Sequence, residues 1–373
     1  MASVDSRRRT VIQLVPALEA GGAERSTLEI GRALVAAGHR SIVVSTGGRM
    51  VARLLAEGSE HIELPVAKKS IGTLRQIGAL RALFKRERPD IVHARSRVPA
   101  WLAWLALRGL SPRPHFVTTA HGLNTPNWYS SIMTRGERVI CVSNTVRDHL
   151  LHNYPRTDPA RLIVIPRGVD TDEFVFGYQP GDSWREWFFA EFPQLEGVPL
   201  LTLPGRGTRL KGHIDAIELV ADLKARGIEV ALLLLGAHQP GREAYIAELQ
   251  QLAEVRGVAD RLAISAPRDD VRDVYAVSAL ILQLSNKPES FGRTVIESLA
   301  LCRPVLGYDH GGVGELLADL YPAGRVAPGD RARLVERAAE LLHRAPAITP
   351  LQRYRLADMQ EATLALYEEV ASS

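Results

Sequence analysis

Apolar residues recur along the chain in two alternating rhythms. Short runs rich in β-branched residues, "VIQLVP", "SIVVST", "HIELPV", "DIVHAR", "HFVTTA", "RVICVS" and "RLIVIP", fill the first half, and segments with apolar positions three and four apart separate most of them. Such alternation predicts strand–helix units, hence a mostly parallel sheet covered on both faces. After an interval rich in Gly, Pro and Trp, roughly 167 to 197, the pattern restarts with "VPLLTLPG", "VALLLLG", "RLAISAP", "ALILQLS" and "PVLGYD". These runs are nearly continuous, as expected of strands buried on both sides. The expectation is an α/β protein with two doubly wound domains, 1–170 and 171–350. A last helical stretch, 351–373, has no strand to cross to and is expected to pack back on the first domain. Ligands of such sheets bind beyond the carboxyl ends of the strands, so loops that follow strands are where chemistry is sought.

A length of 373 residues suits two cores rather than one. With 46% hydrophobic and 24% charged residues, the chain is globular rather than disordered. The arginine cluster of "MASVDSRRRTVIQLVP" precedes too few apolar residues for a secretion signal or a membrane span, so the expected location is cytoplasmic. Cys141 and Cys302 lie in apolar runs and read as inert thiols. Charge is uneven. Residues 1–113 hold 19 Lys+Arg against 9 Asp+Glu, a balance of +10 in a chain of +4, which leaves −6 on the remaining 260. The first half is expected to meet something anionic.

Four loops attract attention. "ALEAGGAERSTLEIGRAL" places Gly21 and Gly22 at a helix entrance, where a ligand can approach the backbone and an anion is favoured, although a plain tight turn fits equally. It is not the dinucleotide fingerprint, since G-x-G-x-x-G and the later ribose acid are missing. "TTAHGLN" puts His121 at a strand end. "LPGRGTRLKGHIDAIELV" crowds Arg206, Arg209 and Lys211 around a glycine-rich turn, a nest for phosphates or simply a solvated basic loop, and does not match a Walker loop. In "NKPESFGRTVIESLALC" the loop carries Glu289 and the following helix carries Glu297, with the helix start near Gly292. The two acids, something like 10 Å apart, suit two grips on one elongated ligand better than an acid/base pair, although the spacing touches the upper end of the inverting-glycosidase range; a surface loop acid and a solvated or capping helix acid fit equally. Between them, the amides of Phe291, Gly292, Arg293, Thr294 and Val295 offer a helix N-terminus to a phosphate. Hydroxyl, phosphate, hydroxyl is the order of groups in a sugar nucleotide. "YDHGGVGELL" and "SNTVRDHL", with Ser143 and Asn144 as helix caps, add further strand-end loops. Recurrence in both halves points to a cleft between them.

On these residues the chain resembles retaining glycosyltransferases of the GT-B fold, family 4 or "group 1". The most specific element is E-x7-E, Glu289 and Glu297 in "PESFGRTVIESLA", supported in order by "GGAER", "TTAHG", "CVSNTVRDHL", "VIPRGVDTDEF", "GRGTRLKG" and "GGVGELL". The resemblance implies two Rossmann-like domains facing a cleft, and transfer from a UDP- or GDP-linked sugar to a glycan or lipid-linked acceptor, with retention and no metal or other cofactor. It implies that Glu289 holds hydroxyls of the transferred sugar, Glu297 the ribose, and Arg206 and Lys211 the diphosphate. Phosphate would meet the amides around Thr294, His121 would line the sugar site, and Gly21 and Gly22 would let the first loop close. Asp170 and Asp172 of "GVDTDEF" look like a metal-binding pair but fall in the linker motif. Two departures from the family pattern are Arg167, where Asn is usual, and Gly207, where an apolar residue is common.

Residues 68–88 set Ile71, Leu74, Ile77, Leu80, Leu83 and Phe84 at helical spacing among seven basic residues and one acid. They read either as a core helix with a solvated basic face or as a contact with an anionic cytoplasmic leaflet, with Trp101 and Trp104 nearby. An acceptor held in the membrane surface, such as a lipopolysaccharide core, would fit the second reading. Two alternatives are weaker: a catalytically silent sugar-nucleotide or glycan-binding protein on the same scaffold, and a nucleic-acid binder, for which no recognisable module is present.

Overall fold

The alternation within the first strand decides the layers of the first unit. In β1 (Thr10–Leu14), Val11 joins the hydrophobic cluster on one face of the sheet, while Ile12 and Leu14 join that on the other. The structure, a computed structural model, describes residues 7–19, 21–67 and 71–372. It divides the chain into Met1–Pro166 with Leu356–Ser373, and Arg167–Arg355.

The first unit runs from β1 through α1 (Gly22–Ala36), β2 (Arg40–Ser45), α2 (Val51–Ala56), β3 (Glu60–Glu63), α3 (Gln76–Glu87), β4 (Ile91–Ala94) and α4 (Arg97–Leu107). It continues with β5 (His115–Ala120), β6 (Arg138–Cys141), α5 (Asn144–Asn153) and β7 (Leu162–Val164). All seven strands are parallel, in the order β3-β2-β1-β4-β5-β6-β7. Ser143 caps α5, accepting from the Val146 amide at 3.1 Å. Burial pushes the Cys141 thiol up to about 12, which leaves it inert.

The second unit comprises α6 (Asp182–Glu191), β8 (Leu200–Pro204), α7 (His213–Ala225), β9 (Ala231–Leu235), α8 (Glu243–Val255), β10 (Leu262–Ile264) and α9 (Val271–Val277). Then come β11 (Leu280–Gln283), α10 (Arg293–Ala300), β12 (Val305–Tyr308), α11 (Gly311–Leu320), β13 (Arg325–Val326) and α12 (Arg331–Arg344). Its six parallel strands are ordered β10-β9-β8-β11-β12-β13. The order reverses between β8 and β11, and the carboxyl edge of that crevice is the expected ligand position.

The chain ends in α13 (Leu356–Ala371), whose Leu356, Met359, Leu366, Tyr367 and Val370 pack against Val11, Ile30, Ile91 and Val117 of the first unit. Tyr367 reaches His93 Nδ1 at 2.6 Å, and His93 Nε2 meets the Thr119 hydroxyl at 2.6 Å. The helix thus covers one face of the first sheet.

The structure refines the sequence reading at four places. The unit boundaries fall at 166/167 and 355/356 because Val169 pairs with Arg355, and its amide donates to Tyr354 O at 2.9 Å, drawing both crossing segments into the second unit. The interval 167–197 contains a helix, α6, whose Phe188 is fully buried and whose Trp184 indole donates to Asp270 at 2.9 Å; the aromatic run "WREWFF" hides its period. The two-residue β13 is too short to leave a pattern. Leu80, Leu83 and Phe84 of α3 are core, packed with α4, as the core-helix reading of this segment expects. Lys68, Lys69 and the side chains of Ile71 and Leu74 lie outside the described residues. Among the described residues no helix is long and apolar enough to cross a membrane.

Candidate active site

At the β8/β11 reversal, two strand-end loops bring a cation onto a carboxylate. Lys211 Nζ, in the turn after β8, lies 2.5 Å from Glu289 Oε1, in the loop after β11. Both side chains are about a quarter exposed, at 26% and 24%, so the pair faces solvent on one side and is braced on the other. Ser285 donates to Glu289 Oε1, and Gln283 Nε2 approaches Oε2 at 3.3 Å. Both of these residues are buried at the end of β11, so the carboxylate's orientation is set from within the sheet. The loops are laced together by Asn286, whose amide donates to Leu210 O at 3.0 Å and whose side chain donates to Arg209 O at 2.9 Å. Gly212 is obligatory here: its φ is +77°, and a Cβ would stand 2.0 Å from Leu284 O. Gly207, the departure from the family pattern, also has a packing reason, since a Cβ there would lie 2.3 Å from Ala237 O. Arg167, the other departure, is buried.

Of the remaining cations, Arg206 is exposed and, among the described residues, its guanidinium has no side-chain partner. Arg209 is committed elsewhere, paired with both carboxylate oxygens of Glu248 at 2.6 and 2.5 Å and lying over the Tyr245 ring. Beneath this turn His213, the first residue of α7, is fully buried, and burial pulls its pKa down to about 4. Its ring nitrogens approach the Gly205 and Thr208 backbone without completing hydrogen bonds.

The helix start next to Glu289 is built by backbone packing. Gly292 adopts φ +108° at the N-cap of α10, and Gly312 donates its amide to Glu289 O at 2.8 Å. Phe291 is buried and near the Tyr354 ring. The Val295 amide bonds Gly292 O at 3.0 Å and its side chain is core, so it is withdrawn from the expected phosphate cradle, whose members Gly292, Arg293 and Thr294 begin the helix. Thr294 is hydrogen-bonded to buried Tyr275, whose hydroxyl is pushed well up by burial and by the nearby Glu297 carboxylate.

In the first unit, His121 is half-buried directly after β5. Gly21 caps α1, but Glu24 already accepts from the Gly21 and Glu19 amides at 2.9 and 2.6 Å, so the anion seat at this helix start holds the chain's own carboxylate. Gly22 has open space around it. Asp170 accepts from the Asp172 amide at 3.2 Å as a local turn. No group of three or more His, Cys, Asp or Glu gathers in metal-ligating geometry among the described residues.

Sequence reading passed over Gln283, Ser285, Tyr275 and His213. The first two do leave a signal, polar residues at alternate positions closing the apolar run "ALILQLS". Tyr275 and His213 act through contacts that no local pattern encodes.

Comparison with known proteins identifies the family. The family models described as Glycosyltransferase Family 4 and Glycosyl transferases group 1 match residues 20–173 and 185–354. A glycosyltransferase from Rickettsia africae is 29% identical with a TM-score of 0.87, covering 98% of this chain and 99% of its own. Anabaena HepE, crystallised with UDP and glucose, shares the fold at 19% identity and a TM-score of 0.78, covering 97% and 100%. The alpha-maltose-1-phosphate synthase of Mycolicibacterium smegmatis is 29% identical over 53% of the chain; the match spans about half, 50%, of that relative's length. With both units matched in order and the two Rossmann-like sheets in place, the chain belongs to the group 1 glycosyltransferases of family 4 and has the GT-B fold.

Proposed function

We propose that the protein moves a sugar from a nucleoside-diphosphate donor to a glycan or lipid-linked acceptor, with retention and without a bound metal. The observation that carries this reading is the Lys211–Glu289 pair at the β8/β11 reversal, with the α10 N-terminus beside it. Glu289, held by Ser285 and Gln283, accepts hydrogen bonds from sugar hydroxyls. Lys211 and Arg206 neutralise the diphosphate. As the bond from the anomeric carbon to the phosphate oxygen breaks, negative charge grows on the leaving group, and cations already aimed at it lower the barrier. That gives the two side chains the charge-neutralising part a divalent ion plays in other transferases. The amides of Gly292, Arg293 and Thr294 receive a phosphate, Phe291 shapes that turn, and Glu297 holds the ribose hydroxyls. His121 lines the sugar site, and Gly21 and Gly22 let the first loop close on the phosphates or the acceptor.

The UDP and glucose bound to Anabaena HepE support a UDP sugar, with GDP the other candidate. The +10 balance of residues 1–113 supports an anionic acceptor or surface, such as a lipid-linked envelope glycan at the inner face of the cytoplasmic membrane. WaaG, a glycosyltransferase involved in lipopolysaccharide biosynthesis, shares the fold at 19% identity. The test is release of nucleoside diphosphate from UDP and GDP sugars in the presence of envelope extract. Turnover should fall at least about 100-fold in Glu289→Gln and Lys211→Ala with melting temperature kept. Near-normal turnover in both variants sinks the site, and donor binding without release would favour a silent binding protein.

A further inference from the structure

The first sheet has a second concave site, on the edge where its strands begin. The segments that enter β6 and β7, with the end of α4, line a cavity of about 580 Å³ whose walls include Trp104, Thr134, Arg135, Tyr154, Arg156 and Arg161. His121 follows the carboxyl end of β5, so this cavity occupies the opposite edge of the sheet, and Lys211 and Glu289 are in the other unit.

Its charge is one-sided. Arg108 lies 3.7 Å and Arg135 5.1 Å from the Trp104 ring centroid. Stacking on an aromatic ring fixes a guanidinium's plane while leaving N–H groups for an oxyanion. Among the described residues, Arg108, Arg135 and Arg156 meet no carboxylate, and all three are exposed. The acid in the wall, Asp158, caps the Ala160 amide and stands 3.9 Å from Arg161, an exposed and weak pair.

Beside it, Trp128 is 72% exposed yet firmly held. Its ring lies 4.5 Å from that of Trp101, Ser131 Oγ donates to Trp128 O at 2.7 Å, and the Trp101 indole donates to Tyr129 O at 2.9 Å. Tyr154, in the cavity wall, bonds both the amide and the carbonyl of Asn127 at 3.3 Å. A fixed, exposed indole next to converging arginines suits a ligand with an anionic head and a boundary between polar and apolar surroundings.

We infer that this amino-edge cavity binds phosphate esters. The chemistry is shared by a soluble phosphate and a phospholipid headgroup, and it does not depend on the donor assignment. The full chain is titrated with inorganic phosphate, followed by tryptophan fluorescence, and floated with vesicles of phosphatidylglycerol in phosphatidylcholine against phosphatidylcholine alone, at about 0.1 M salt. Binding is expected in at least one arm. Response to phosphate alone assigns a soluble ester, anionic vesicles alone a lipid headgroup, and both the common group. Arg135→Glu/Arg156→Glu should weaken it tenfold or more, and Arg135→Gln/Arg156→Gln severalfold, with thermal stabilisation by nucleoside diphosphate unchanged. Trp128→Ser should weaken only the vesicle arm. The glutamine pair decides if charge reversal disturbs folding. Absence of binding in both arms, or folded variants that bind as the wild type does, overturns the inference.

Discussion

Gly21–Gly22 and Gly311–Gly312 are glycine pairs at helix starts, one in each unit, and in sequence they read alike. In the structure their surroundings differ. A Cβ on Gly311 would lie 2.6 Å from Glu289 O, and one on Gly312 would lie 2.4 Å from Phe291 Cα. On Gly22 it would meet nothing within 4 Å, and on Gly21 only the Glu24 carboxylate, at 3.1 Å. The second pair is demanded by backbones packing beneath the loop that carries Glu289. The first is not demanded by its own unit's backbone packing: Gly22 stands in open space and Gly21 lies against Glu24, its capping partner. Packing therefore fixes one glycine pair and leaves Gly22 of the other unconstrained.

The largest effect expected on this contrast is at Lys211. If the second unit's loop is prebuilt around the ion pair, Lys211→Ala should lower turnover by about 10² to 10³ while circular dichroism and melting temperature stay near wild type. A large loss of melting temperature instead would mean that the pair serves folding. Next is His213, buried and neutral beneath the same loop. Its ring takes a proton near 6.5 when unfolded but only near 4 when folded, so the unfolded chain binds more protons between those values. Stability should rise with pH across that window and be lost as pH falls through it, by roughly 3 kcal/mol at the low end. His213→Phe should flatten that component in denaturant titrations at pH 4 to 7; an unchanged slope would show that the ring is not shielded as the packing implies.

Smaller is the effect of Gly312→Ala, expected to cost about 1–3 kcal/mol because backbone atoms of Phe291 cannot yield. Gly22→Ala is the counterpart and the smallest: stability within about 0.5 kcal/mol of wild type, since space is open and alanine favours a helix. Its turnover should nonetheless fall if the first loop admits a ligand. Equal losses of stability in the two glycine variants, measured by urea unfolding, would erase the contrast between the units.

Much of this molecule is written in local pattern. Strand runs from "VIQLVP" to "PVLGYD" lie where β1 to β12 form, because burial of a parallel strand on both faces demands unbroken apolar residues. The E-x7-E loop and its helix were legible too, since a strand, a Pro-Gly-containing loop and a helix start follow one another within about a dozen residues. Less legible were α6, with aromatics around its circumference, and the role of α3, whose basic and apolar residues fit a membrane helix as well as a core helix until α4 takes the apolar side.

By itself the sequence determined the order of the first twelve strands and most helices, the two-sheet class, and which loops carry acids and cations, because these depend on residues within a turn or two of one another. Only the tertiary structure decided that Lys211 meets Glu289 across 78 positions, and that Arg209 is diverted to Glu248. It also decided that the Val295 side chain is core, and that one glycine pair is packed against backbone while Gly22 of the other is bare. Those outcomes depend on which segments become neighbours in the folded units; the Lys211–Glu289 pair follows from the β8/β11 reversal, a property of the assembled sheet.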